Sequence, residues 1–177
     1  YDNINTENKI SMSIPEIGKI KINLMEEIIS QTLIGNGFNE IINNSICSPS
    51  INDKFKSTPV TLLNPQGVEL SNLRSSLIPD ALETIKQNSN RQNKNLKLFE
   101  IGNNYHVIKD GHFENKKLNV AITGDVFDEN WITDYTENNF FYLKGISNNL
   151  LEKLNILNYK YEIDQDEIFE FKLNIVS

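Results

Sequence analysis

Cysteine is nearly absent from this chain of 177 residues: Cys47 is the only one. That excludes an internal disulfide framework and a cysteine-ligated zinc site, and it fits a reducing compartment. Cys47 is expected to serve as a small buried hydrophobe. No run of about twenty apolar residues is available for a membrane-spanning helix. The opening YDNINTENKI is acidic and polar, where a secretion signal needs basic and then apolar residues. Together these point to a cytoplasmic protein with no membrane partner. No glycine-rich phosphate loop and no Ser/His/Asp constellation is present. His106 and His112 have no carboxylate at metal-ligand spacing and read as ordinary exposed histidines. The excess of acid, net charge -7 with a pI near 4.9, disfavours a broad surface for nucleic-acid phosphates.

What is there suits one soluble domain. A chain of 20.3 kDa with 38% hydrophobic residues and a mean hydropathy of -0.41 can bury a sizeable core under a polar surface. Residues 1–18 read as an extended lead-in and residues 19–177 as the domain proper. An amphipathic helix is expected from Ile20 to Ile34, stopped at Gly35-Asn36-Gly37, and a strand from Phe38 to Ile46. Leu63-Asn64-Pro65 closes a strand, because Pro65 cannot donate to a ladder. Pro79 starts a second helix with Asp80 at its positive end and an apolar stripe of Ile78, Leu82 and Ile85. Lys97 to Ile101 reads as a strand turned by Gly102-Asn103-Asn104. Tyr105–Ile108 and Leu118–Thr123 flank the hairpin pair Asp110-Gly111, completing an antiparallel meander. A helix over Phe141–Leu154 and strands at Tyr159–Ile163 and Ile168–Leu173 follow. The fold class expected is α+β, an antiparallel β-sheet flanked by helices.

Several side chains invite a functional reading, and each has a structural one beside it. Arg74, between Leu73 and Leu77 and near Glu69 and Ser71, suits the pinning of a polar elbow, since its planar fork holds several acceptors at once. Glu100 follows Phe99 in a strand and points to the opposite face, as an ion-pair partner would. Arg91, three residues after Asn88, is expected to tether a helix end. Asp164-Gln165-Asp166-Glu167 reads as a solvated turn lacking the glycine and spacing of a calcium loop. Trp131, Phe140, Phe141 and Tyr142 could stack bases, but core or partner contact is the plainer reading.

The ordered series Asn64-Pro65, Glu69, Ser71, Leu73-Arg74-Ser75-Ser76-Leu77-Ile78-Pro79, Leu82, Asn88, Arg91 and Leu98-Phe99-Glu100-Ile101-Gly102 resembles the bacterial-type phenylalanyl-tRNA synthetase beta subunit family. The likeness is to its class II synthetase-like core domain. Tyr1-Asp2-Asn3-Ile4 resembles the exit from a preceding module, and Gly124 through Gly145 a later stretch with a Trp, an aromatic pair and Lys-Gly. The resemblance implies an α/β heterotetramer that charges tRNA with phenylalanine using ATP and magnesium, the active site lying on the alpha subunit and tRNA contacts on other domains. It also implies that the helix at Ile20–Ile34 offers a subunit contact, with Leu24, Ile28 and Leu33 as candidates.

An active class II site needs arginines from its second and third motifs to meet charge building on phosphate. In the second-motif place Lys97 is the only cation of the Lys97–Ile101 strand, the turn is too short to grip ATP, and no arginine follows Arg91. No residue is therefore expected to be catalytic, cofactor-binding or metal-binding. Asn64, Pro65, Glu69, Arg74, Pro79, Arg91, Phe99, Glu100 and Gly102 are expected to carry structural roles. Two other readings stay open: an autonomous ATP-dependent ligase or nucleotide-binding domain on the same fold, and a free-standing interaction module.

Overall fold

The structure is a computed structural model that describes residues 17–54, 58–109, 111–126, 140–165 and 169–176. The expectations for the lead-in up to residue 16, for Trp131 and for the start of the last strand at Ile168 fall outside those residues.

Helix α1 spans Ile17–Gly35. It ends where Gly37 adopts φ 82°, which glycine reaches at no steric cost, and the amides of Asn36 and Phe38 both donate to the Leu33 carbonyl at 3.0 Å. The expected strand Phe38–Ile46 is instead two short ones, β1 (Asn39–Glu40) and β2 (Ile46–Cys47), belonging to different sheets. The break has a polar cause. The Asn43 side chain turns in to Glu100, and Asn44 Oδ1 accepts from the Ile46 amide at 3.1 Å, so the chain leaves one ladder before joining the next. Cys47 is buried, as its type suggests.

Helix α2 (Pro49–Lys54) follows, then a 3₁₀ turn at Val68–Leu70 and β3 (Asn72–Leu73), antiparallel to β2. Thr61 bridges Asn72 and the Leu62 amide donates to the Ser71 carbonyl at 2.8 Å, after which the chain leaves that pairing towards Pro65. Helix α3 spans Ile78–Asn90 with Pro79 in its first turn. Its stripe differs from expectation: Leu82 is 55% exposed and Ala81 is the buried position.

The main correction concerns Gly102-Asn103-Asn104. These residues do not turn the chain but sit in mid-strand, so the expected meander is one long hairpin. Strand β4 runs through Leu96–Ile108 and pairs antiparallel with β5 (Gly111–Thr123), from Leu96 opposite Thr123 to Ile108 opposite Gly111. The connection from Ile108 to Gly111 falls where the Asp-Gly signal puts it. Strand β1 lies parallel to β4 on its other edge, giving the order β1-β4-β5. Helix α4 (Phe140–Lys153) and a separate hairpin of β6 (Lys160–Asp164) and β7 (Lys172–Val176) complete the described chain. Asp164 is a hairpin residue rather than part of a solvated turn: Lys172 Nζ lies 2.8 Å and Asn174 Nδ2 3.1 Å from its Oδ2.

Alternation along β4 divides the hairpin into two faces. Phe99 and Ile101, with Val120 and Ile122 beside them on β5, face α1 and α4, where Ile29, Leu33, Phe38, Ile146 and Leu150 close the core. Phe99 and Leu33 are fully buried, and such burial contributes about 1.5–3 kcal/mol per side chain. Leu98, Glu100, Gly102 and Asn104 face the other way, towards the elbow that leads into α3.

Candidate functional site

The second face is organised around Arg74. Its backbone amide donates to the Ser45 carbonyl at 2.9 Å, and its carbonyl accepts from the Tyr105 amide at 3.0 Å, which clamps the elbow between β2 and β4. The residue is only 3% exposed. Nη1 donates to Glu100 Oε1 at 2.6 Å and Nε to the Asn103 carbonyl at 3.1 Å. Glu100, 2% exposed, also takes the Asn43 amide on Oε1 at 3.3 Å and Asn43 Nδ2 on Oε2 at 2.8 Å. Thr84 Oγ1 of α3 donates to Asn43 Oδ1 at 3.2 Å, so the network joins the β1–β2 connection, the elbow, α3 and β4.

Asp80 is the third charge. Its Oδ2 lies 3.6 Å from Arg74 Nη1, which is already committed to Glu100, and this buried oxygen takes no hydrogen bond among the described residues. Burial raises its pKa above the usual carboxylate value. Attraction to Arg74 opposes that shift and repulsion from Glu100 adds to it.

Gly102 explains how the fork fits. A Cβ there would overlap Arg74 Nη2 and come within 3.1 Å of Leu77 Cδ2 and 3.3 Å of Glu100 Oε1. Nη2 belongs to a flexible side chain, but one pinned by its ion pair, so it cannot give way cheaply. The glycine is required by close approach, not by a turn.

The structure brings Arg74, Glu100 and Gly102 together, and Pro79 sits in the first turn of α3 directly before Asp80. Phe99 is in the core on the opposite face. Asn64, Pro65 and Glu69 are exposed and away from this network. Arg91 caps α3 through its backbone amide, which donates to the Asn88 carbonyl at 2.9 Å, while its exposed guanidinium makes no hydrogen bond or ion pair among the described residues. Of the proposed contact trio, Leu33 is consumed by the chain's own core, Ile28 is half-buried and Leu24 is 54% exposed. His112 lies in β5, one rung from His106. Sequence reasoning missed Asn43 and Asp80 as members of the network. Asn43 carries no signal in a chain so rich in asparagine, whereas Asp80 could have been paired with Arg74 by its place in the first turn of α3.

This face does not fit an ATP–magnesium site. Its arginine is spent on Glu100 and the Asn103 carbonyl, and both carboxylates near it answer that same arginine. The hairpin connection is two residues long, Ile108 pairing with Gly111.

A long antiparallel hairpin with a parallel strand on one edge, two helices on one face and an elbow helix on the other defines a class II synthetase-like domain. Solved structures share it: pyrrolysyl-tRNA synthetase from Desulfitobacterium hafniense superposes with TM-score 0.66 at 17% identity, over 88% of this chain and 55% of that one. An ATP phosphoribosyltransferase regulatory subunit/histidyl-tRNA synthetase from Bacillus halodurans superposes with TM-score 0.64 at 15% identity, over 92% of this chain and 41% of that one. Within that class, the chain belongs to the family described as the phenylalanyl tRNA synthetase beta chain CLM domain, whose model matches residues 9–172. The phenylalanine–tRNA ligase beta subunit of Bacteroides fragilis is 30% identical over 170 residues, covering 88% of this chain and 21% of that subunit. The beta subunit of Carboxydothermus hydrogenoformans is 32% identical over 145 residues, covering 78% of this chain and 18% of that subunit. The chain thus spans about a fifth of the length of the relatives it matches.

Proposed function

We propose that this chain is the class II synthetase-like segment of a phenylalanine–tRNA ligase beta subunit, and that the segment is a catalytically silent scaffold. The intact cytoplasmic enzyme would attach phenylalanine to its tRNA with ATP and magnesium, the alpha subunit supplying the active site and other beta-chain modules the tRNA contacts. The observation that carries the silent role is the buried Arg74–Glu100–Asn43 network. Catalysis of this type needs cations free to meet charge developing on phosphate; here the arginine is neutralised within the protein. Asn64, Pro65, Glu69, Pro79 and Arg91 then serve the elbow and its helix structurally.

The partner surface we assign is the outer side of α1. Leu24 and Met25 are each 54% exposed and Ile34 57%, more apolar side chain than a helix facing water alone has use for. Ile28 borders this side. Coverage by the alpha subunit would remove it from solvent.

Titration calorimetry of the chain with ATP, magnesium and phenylalanine is expected to give no saturable heat. Co-purification of the beta subunit with alpha is expected to fail for Leu24→Asp/Met25→Asp and to survive Leu24→Ala. Saturable ATP binding would instead favour the autonomous ATP-dependent ligase or nucleotide-binding reading.

A further inference from the structure

Asn36-Gly37 is the only Asn-Gly pair in the sequence, and the fold places it at the stop of α1. Such a pair is chemically labile. The backbone nitrogen of the glycine can attack the asparagine side-chain carbonyl, because no side chain on the glycine shields it. In this chain a Cβ on Gly37 would meet nothing within 4 Å. Asn36 also borders an open groove of about 460 Å³ between α1 and α4, so water reaches it. Neither bulk nor dryness guards the pair.

Hydrogen bonding does. Helix α1 ends in a Schellman motif: the Phe38 amide donates to the Leu33 carbonyl at 3.0 Å and the Gly37 amide to the Ile34 carbonyl at 2.9 Å. The nitrogen that would attack is thus held as an N–H donor to the helix. The group it would attack is tied as well. Asn36 Nδ2 donates to the Thr32 carbonyl at 2.7 Å, which anchors the side-chain amide one turn back along α1. Behind both bonds stands the core. Phe38 is 3% exposed and Leu33 fully buried, and they share one apolar cluster with Ile29, Phe99, Ile146 and Leu150. Opening the stop means lifting Phe38 from that cluster.

We propose that Asn36 is a latent self-modification site that the α1 stop keeps latched. While the stop is closed, Asn36 persists. When it opens, the Gly37 nitrogen bonds to Asn36 Cγ and gives up its proton, by way of water, to the departing amide nitrogen. The Cγ–Nδ2 bond breaks, ammonia leaves and a cyclic succinimide remains. Water then opens the ring at either carbonyl, yielding aspartate or isoaspartate. Isoaspartate routes the main chain through the former side chain and lengthens it by a methylene. Gly37 and Phe38 then no longer meet Ile34 and Leu33 in register, so the stop does not re-form. An opening of this helix end is thereby recorded permanently in the chain.

The test incubates the chain at neutral pH, folded and in concentrated urea. Peptide mapping follows the mass gain of the Asn36 peptide, and an isoaspartyl methyltransferase counts the isoaspartate. The folded chain is expected to react at least about tenfold more slowly, equivalent to about 1.4 kcal/mol of protection. Phe38→Leu keeps the Asn36-Gly37 pair but loosens the anchor, and is expected to speed the folded chain at least about threefold. Gly102→Ala weakens the far face of the hairpin without touching the stop, and should leave the rate within about twofold of the parent's. Hydrogen exchange at the Gly37 amide of the unaltered chain gives a reading free of any variant, and is expected to be slowed at least about tenfold. Equal rates in the folded and unfolded chains, or an unprotected Gly37 amide, overturn the proposal. So does a Phe38→Leu rate no faster than that of Gly102→Ala, because global unfolding would then be the only way to expose the pair.

Discussion

Replacing Arg74 by Met tests the network most directly. Met keeps much of the volume but removes the charge and every donor. Glu100 then keeps only the two Asn43 donors, at 2.8 and 3.3 Å, against a buried negative charge. The Asn103 carbonyl loses the donor now at 3.1 Å. Breaking one side of a buried pair costs about 3–5 kcal/mol, a large part of the roughly 5–15 kcal/mol that holds a domain of this kind. A drop of about 4 kcal/mol would lower Tm by about 8–16 °C at the size of this chain. Urea unfolding followed by far-UV circular dichroism measures it, with the slope m unchanged if the native state stays compact. The companion is the double variant Arg74→Met/Glu100→Leu, which removes both charges. It is expected to recover at least about 2 kcal/mol of the loss, because an apolar pair replaces an uncompensated ion, although Asn43 is then left unsatisfied. A loss below about 1 kcal/mol for Arg74→Met, or strict additivity in the double variant, would refute the idea that these two groups are a coupled buried pair.

Gly102→Ala is expected to cost about 1–3 kcal/mol by overpacking against the pinned guanidinium, and clearly less in the Arg74→Met background; equal costs in both would show that Arg74 is not what crowds the site. Gly124, at φ 71° and with a Cβ that would lie 2.6 Å from the Lys94 carbonyl, is expected to lose at least about 1 kcal/mol on change to Ala, read from the urea midpoint. Asp80→Asn follows the sign of its pKa. The folded chain holds the Asp80 proton more tightly than the unfolded chain, so this group favours folding below its ordinary pKa of 3.8 and loses that contribution as pH rises through the raised folded value. The variant should therefore be at least as stable as the parent at pH 7, with the difference shrinking towards pH 3.5. A loss above about 1 kcal/mol at pH 7 would mean that the Arg74 attraction outweighs burial.

Local chemistry in the sequence determined a good deal of this protein. The helix stop at Gly37, the proline-led start of α3, the place of the Asp-Gly hairpin connection and the alternation of Phe99 and Glu100 all follow from backbone sterics and side-chain periodicity, which act over a few residues. The ordered motif from Asn64 to Gly102 carries the family as well. The sequence also shows Arg74 and Glu100 as charges in apolar company, which is why an ion pair is expected of each. Their partnership is not legible there, because 26 positions separate them and only folding brings Nη1 to 2.6 Å from Oε1. Gly102 misleads for the same reason. A glycine followed by two asparagines has the composition of a turn, and the guanidinium that demands a missing Cβ comes from a distant elbow. Asn43, one asparagine among many, becomes a partner of Glu100 through a contact across 57 positions. Leu33 and Leu24 share one helix and one residue type, yet one is sealed in the core and the other half in water, a difference set by where α4 and the hairpin lie. Short-range rules are written in neighbouring residues, whereas burial, ion pairing and close approach depend on which distant surfaces meet, and that only the tertiary structure decided.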